Sequence, residues 1–135
     1  MVSFTKKTKV NASGDKVWAI FAHGFNDAHL WMASVPHSYA KTNGESFDGA
    51  CSAGRVCELN PNQNGIKASE KFLAYNEENK TATVQIDFIN TPFLFPVKFN
   101  TLNFSLLDTG TDQSEMTWEF RSTIKPLGLI LWPSS

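Results

Sequence analysis

Few side chains in this sequence combine a type and a setting that could do chemistry, and Glu70 comes first. It shares strand phase with Ile66, Ala68, Phe72 and Ala74. If that face turns inward, a carboxylate enters an apolar interior. Burial disfavours the charged form of a carboxylate, which suits such a group to act as a general acid or as a polar anchor. The competing reading phases the strand the other way, or pairs Glu70 with a Lys or Arg at the rim. Glu70 is thus the single candidate catalytic residue, with Arg55 and Tyr75 as further groups able to orient a bound molecule. His23, His29 and His37 do not stand at the i, i+4 spacing of a helical metal pair, so no metal site is expected. Cys57 lies on a strand beside Val56 and reads as a small core residue, and Cys51-x5-Cys57 is neither a redox nor a zinc spacing. No Gly-x-Ser-x-Gly elbow, phosphate loop or dinucleotide fingerprint occurs, so no cofactor is expected.

The composition narrows the setting. The 135 residues fit one domain, 1–135, long enough to bury a sizeable core. At 41% hydrophobic and 19% charged, the chain is not a disordered tail. Residues 1–67 carry seven Lys/Arg and five Asp/Glu, residues 68–135 five and eight, for a net charge of -1 overall. Neither half has the basic footprint of a nucleic-acid binder. No apolar run approaches the roughly 18 residues of a membrane span, and Leu127 to Trp132 is far too short. No apolar stretch follows the N-terminal lysines as in a signal peptide, so a cytoplasmic location is expected. The unusual figure is 13% aromatic, with 11 Phe and 4 Trp, which suits a ring-lined cavity.

The elements that must position these groups follow from pattern. Residues 2–11 read as a strand. Ser13 is a good N-cap for a helix over 14–23, whose Val17, Trp18, Phe21 and Ala22 fall on one face, with Gly24 as the stop. A second short helix runs from Asn26 or Asp27 to about Ser34, with Leu30 and Trp31 on its buried side, ended by Pro36. Strands follow at 37–43, 55–59, 66–75, 81–89, 97–107 and 113–124, separated by turn signals at Asn43-Gly44, Asn60 to Gly65, Asn76 to Asn79 and Asp108 to Asp112. Asn90 to Pro96 reads as a loop or an edge, placed to form a lip at a cavity mouth. The class is α+β, a curved antiparallel sheet of six to seven strands with two short helices after the first strand.

Alternation sorts the long strands into faces. Ala82, Val84, Ile86 and Phe88 share one face, as do Leu102, Phe104 and Leu106, and Met116, Trp118 and Phe120. Two short helices cannot cover this ring-rich surface. Pro126 stands where a longer helix would begin.

Ala12 to Phe21 after the first strand, Gly54 to Leu59, Glu70 to Tyr75 and Met116 to Phe120 resemble, in order, segments of the START-like (SRPBCC) superfamily, which includes polyketide cyclase/dehydrase-like proteins and the birch-pollen-allergen fold. The resemblance implies a helix-grip: a seven-stranded antiparallel sheet curled around a long C-terminal helix with an apolar cavity between. It implies binding of a lipid, polyketide or similar apolar molecule. The ligand would be lined by Trp18, Phe21, Glu70, Phe72, Ile86, Phe88, Leu102, Phe104, Met116, Trp118 and Phe120. The alternatives are a cyclase or dehydratase using Glu70 in the same cavity, and an interaction module. The sequence departs from the family at its end: only Lys125 to Ser135 remains for the C-terminal helix, and Pro133 interrupts it. A missing or truncated helix would leave the sheet face open and favour a homo-oligomer. A fatty-acid-binding barrel of similar length is disfavoured, because it needs about ten short strands.

Overall fold

The computed structural model describes residues 2–30, 32, 35–41, 47–59, 65–91 and 97–124. Seven strands form one antiparallel sheet: β1 (Val2–Val10), β2 (His37–Ala40), β3 (Gly54–Glu58), β4 (Lys67–Asn76), β5 (Thr81–Ile89), β6 (Val97–Gly110) and β7 (Gln113–Ile124). Their order is β1-β7-β6-β5-β4-β3-β2. From β2 to β7 the chain is a meander in which each strand pairs with the next, and β1 returns to pair with β7, Phe4 opposite Phe120. The expected strand count is present, and the expected faces of β5, β6 and β7 hold. The strand expected over 37–43 ends at Ala40, and residues 42–46 lie outside the described set. The turn expected at 108–112 tightens to two residues, with Gly110 opposite Gln113 and Asp112 at φ 54°.

The helix expected over 14–23 is helical throughout but not of one kind. Helix α1 (Gly14–Trp18) makes one α-turn and then widens into a π-turn over Ala19–His23, closed by Gly24 N donating to the Ala19 carbonyl at 2.9 Å. Ser13 caps it as expected, accepting from Lys16 N at 3.3 Å. A second cap comes from far along the chain: the Asp108 carboxylate of β6 accepts from Gly14 N at 2.7 Å, placing negative charge at the helix start. Gly24 does stop the helix, but not through a left-handed backbone. Its φ is -94°, and a Cβ there would come within 2.7 Å of the Ile20 carbonyl. The second helix is a 3-10 segment, Phe25–Leu30, broken at Asp27. Leu30, expected to be buried, is exposed; Phe25 and Ala28 face the core instead, because the tighter turn rotates the buried stripe. Trp31 lies outside the described residues.

These two segments pack on one face of the sheet. Trp18, Phe21 and Phe25 meet Phe72, Val84, Leu102 and Phe104 in the main core. The Phe21 and Phe104 rings stack at 3.8 Å between centroids, and Phe25 meets Phe72 at 4.4 Å. A smaller cluster joins Ala28, Val35, Cys57 and Ala68. Ala74, expected to share the inward face of Glu70, does not. A register shift between Phe72 and Ala74 reverses the alternation, leaving Ala74 exposed and bringing Tyr75 against the core. Among the described residues, no helix is long and apolar enough to cross a membrane. The expectations for the lip (92–96 of it) and for the C-terminal segment (125–135) fall outside the described residues.

Candidate functional site

The site begins with a close approach between β3 and β4. A Cβ at Gly54 would collide with the Glu70 carbonyl. With only hydrogen there, the strands come together and bring Arg55 opposite Glu70 in register. The side chains form an ion pair at 3.0 Å, Nη2 to Oε1, and are 3% and 5% exposed as residues. Glu70 thus faces inward as its phase predicts, but its partner is buried rather than at a rim. Arg55 is held on two more sides: Nη1 donates to the Phe25 carbonyl at 2.8 Å, and the guanidinium lies 3.9 Å from the Phe25 ring centroid. Cys57, two residues along on the same face, feels the pair. Burial first and the Glu70 charge second push its thiol up to about 12, so it stays protonated, as a core residue would.

The pair forms part of the lining of a depression of about 200 Å³ on the same sheet face. Ile86, Phe88, Leu102, Trp118 and Phe120 line it, with Met32, Leu59, Ala68 and Asn100. Two further depressions share its walls. One, of about 270 Å³, runs between α1 and β7, lined by Phe21, Ile20, Val17, Met116 and Trp118, with Val10, Ala12 and Lys16. The other opens along β1 and β7, lined by Phe4, Lys6, Thr8, Met116, Trp118 and Phe120. Trp118 lines all three, so they adjoin at its indole as parts of one apolar face, the groove. Phe4, stacked on Phe120 at 5.1 Å, remains 58% exposed at the edge.

The residues expected to line a ligand cavity therefore divide. Glu70, Ile86, Phe88, Leu102 and Phe120 line the first depression, Phe21 and Met116 the second, and Trp118 all three. Trp18, Phe72 and Phe104 pack in the core and line none of them. Met32, Leu59, Asn100 and Phe4 escaped the sequence reading. Phe4 had a signal, its alternation with Lys6 and Thr8 on β1, but the lysines masked the apolar face.

Tyr75 stands apart from the groove, in a second polar cluster that sequence could not assemble. Its hydroxyl donates to Glu77 Oε1 at 2.6 Å, and His23 Nε2 lies 3.0 Å from both oxygens of the same carboxylate. Burial by itself would raise the Glu77 carboxyl. The Tyr75 hydrogen bond, the nearby Trp18 indole and the bond and charge of His23 outweigh it and hold the group down at about 2. The Trp18 N–H is itself buried and outside hydrogen-bond geometry. Burial, then the Glu77 acceptor, drives the Tyr75 phenol well above its ordinary range. The cluster ties the π-turn to the end of β4. Among the described residues, no three His, Cys, Asp or Glu side chains converge as metal ligands.

Comparison with known proteins extends this description. A START superfamily protein from Mycobacterium smegmatis superposes with a TM-score of 0.70 at 10% identity, covering 98% of this chain and 80% of that one. Ara h 8.0201 gives a TM-score of 0.72 at 11% identity, covering 99% and 82%. Norcoclaurine synthase from Thalictrum flavum gives 0.64 at 18% identity, covering 96% and 73%. At such identities the likeness establishes the fold, the helix-grip. No curated protein matches the sequence significantly. The sequence model of the family described as "Polyketide cyclase / dehydrase and lipid transport" matches residues 1–132. The chain belongs to that family, within the START-like (SRPBCC) superfamily.

Proposed function

We propose that the protein, as one domain, binds an apolar small molecule of the lipid or polyketide type in the groove around Trp118. The observation that carries this reading is the groove itself: rings and aliphatic chains from β1, β4, β5, β6 and β7 left accessible, with one buried ion pair at the floor. Apolar lining with few fixed polar groups is the composition of small-molecule sites. Burial of ligand surface supplies the affinity, at about 25 cal/mol per Å². Titration with Nile red, a neutral apolar dye, tests it. Saturable binding with a blue-shifted emission is expected. Asn100→Trp, which fills the depression from a half-buried position, should weaken binding about tenfold or more while the melting temperature holds. Absence of saturable binding would refute the reading.

A catalytic variant of the same reading rests on Glu70, the carboxylate in the lining of these depressions. Paired with Arg55, its carboxylate would act as a general base on a polyketide-like substrate lying over Ile86 and Leu102. Glu70→Gln should then abolish turnover and keep dye binding; unchanged turnover excludes Glu70. Self-association through the exposed Phe4 and Phe120 edge is a third use of the same face. Sedimentation at high concentration decides it, a clean monomer excluding it.

A further inference from the structure

The charges around the groove are one-sided. Its three depressions are lined by three cations, Lys6, Lys16 and Arg55, and one anion, Glu70, a surplus of two positive charges in a chain whose net charge is -1. Arg55 and Glu70 neutralise each other at the floor. The surplus is therefore Lys6 on β1 and Lys16 on α1, both exposed, and neither has an ion-pair partner among the described residues. The neighbouring Asp15 is engaged elsewhere, with Lys80 at 3.1 Å. Among the described residues each lysine is the only charged one in the lining of its depression, and both depressions share Met116 and Trp118. Two cations with no ion-pair partner among the described residues thus stand toward one end of the groove, and among the described residues the lining of its other end, past Phe120 toward Phe88 and Met32, holds no charge beyond the Arg55–Glu70 pair.

We infer that the ligand is an anionic amphiphile: a carboxylate head held between Lys6 and Lys16, and an apolar tail running from Trp118 across β6 and β5 toward Phe88. From β1 to Phe88 on β5 the path crosses three strand spacings, ~14 Å, enough for a medium-length alkyl tail. This rests on the groove reading above and adds the polarity of its occupant. The lysine stems lie along the apolar wall while the ammonium groups stay wet, so the head group keeps much of its hydration and the attraction remains sensitive to salt.

Displacement of Nile red by dodecanoate and by dodecanol, which share a tail and differ in head charge, tests the inference. The readout is the ratio of their affinities. Two rim ion pairs, each worth a few-fold, make that ratio fall about tenfold in Lys6→Met/Lys16→Met. In the unaltered protein it should also shrink as salt is raised. Lys7→Met/Lys9→Met removes the same charge from the opposite face of β1 and should leave the ratio in place. A ratio that survives in the Lys6/Lys16 variant, or that falls equally in the Lys7/Lys9 variant, overturns the inference while leaving groove binding intact. Failure of both dodecyl compounds to displace the dye overturns the groove reading and this inference together.

Discussion

Arg55→Met tests how the floor of the groove is held. The substitution keeps much of the aliphatic stem and removes the charge. It leaves the Glu70 carboxylate 5% exposed with no counter-ion and the Phe25 carbonyl without its 2.8 Å donor. Removing one partner of a buried ion pair typically costs about 3–5 kcal/mol, because the remaining charge stays desolvated. A carbonyl left unsatisfied adds about 1–3 kcal/mol, part of which relaxation recovers. The expected loss is therefore about 5 kcal/mol, a large share of the stability of a domain this size. Arg55→Met/Glu70→Leu removes the stranded charge as well, and should lie within about 2 kcal/mol of the unaltered protein, the remainder being the Phe25 carbonyl and the lost cation–π contact. Urea unfolding followed by Trp fluorescence, with matched m values, measures both. A single variant that loses less than about 1 kcal/mol would show that the pair is solvated in solution. A double variant no better than the single would show that the cost lies in packing, not in an uncompensated charge. Either result would refute the electrostatic account.

The remaining predictions use other parts of the molecule. Asp108→Ala removes the carboxylate that caps Gly14 across the sheet and should cost about 1 kcal/mol, with Asp108→Asn recovering part of it in the same urea assay. Phe104→Ala should cost about 3–5 kcal/mol, since its ring stacks on Phe21 and meets Trp118 edge-on at 4.6 Å. Glu77 sits well below the ordinary carboxylate range, so its contribution is present above about 4.5 and is lost as pH falls toward 2. Glu77→Gln should flatten stability across that window, and an unchanged pH profile would mean that the His23–Glu77–Tyr75 cluster does not persist in water. A thiol reagent should modify the exposed Cys51 in the native protein, with Cys57 reacting only on unfolding. Rapid reaction of both would contradict the burial of Cys57.

Strand alternation was enough to place Ile86, Phe88, Leu102, Met116, Trp118 and Phe120 on one face, because a period of two leaves two choices and the apolar residues agree on one. It placed Glu70 inward for the same reason. The same rule failed four residues later at Ala74, where one extra residue in β4 reverses the alternation, and nothing local in Phe72-Leu73-Ala74 announces it. The buried Arg55–Glu70 pair needed the β3–β4 register, which the glycine at 54 permits but does not spell out. Trp18, Phe72 and Phe104 share the composition of a ligand wall, yet Trp18 lies in the helical segment after β1, which covers the other two through Phe21 and Phe25. Which rings stay accessible is set by where Phe21 and Phe25 land, a tertiary outcome. His23, Tyr75 and Glu77 meet across more than fifty residues, and no spacing rule reaches that far.

The strand order also bears on how the molecule assembles and opens. Every pairing from β2 to β7 joins neighbours in sequence, whereas β1 meets β7 across more than a hundred residues. Loop-closure entropy makes that contact about 3 kcal/mol more costly to form than a hairpin. The β5–β6–β7 meander should therefore nucleate folding, with β1 docking late. On the native side the same asymmetry runs in reverse: β1 is an edge strand, and its amides should exchange with solvent sooner than those of β6. Phe4 and Lys6 ride on that strand as one wall of the groove. Fraying of β1 would then be both the first sub-global opening of the native state and the motion that admits a ligand beside Trp118.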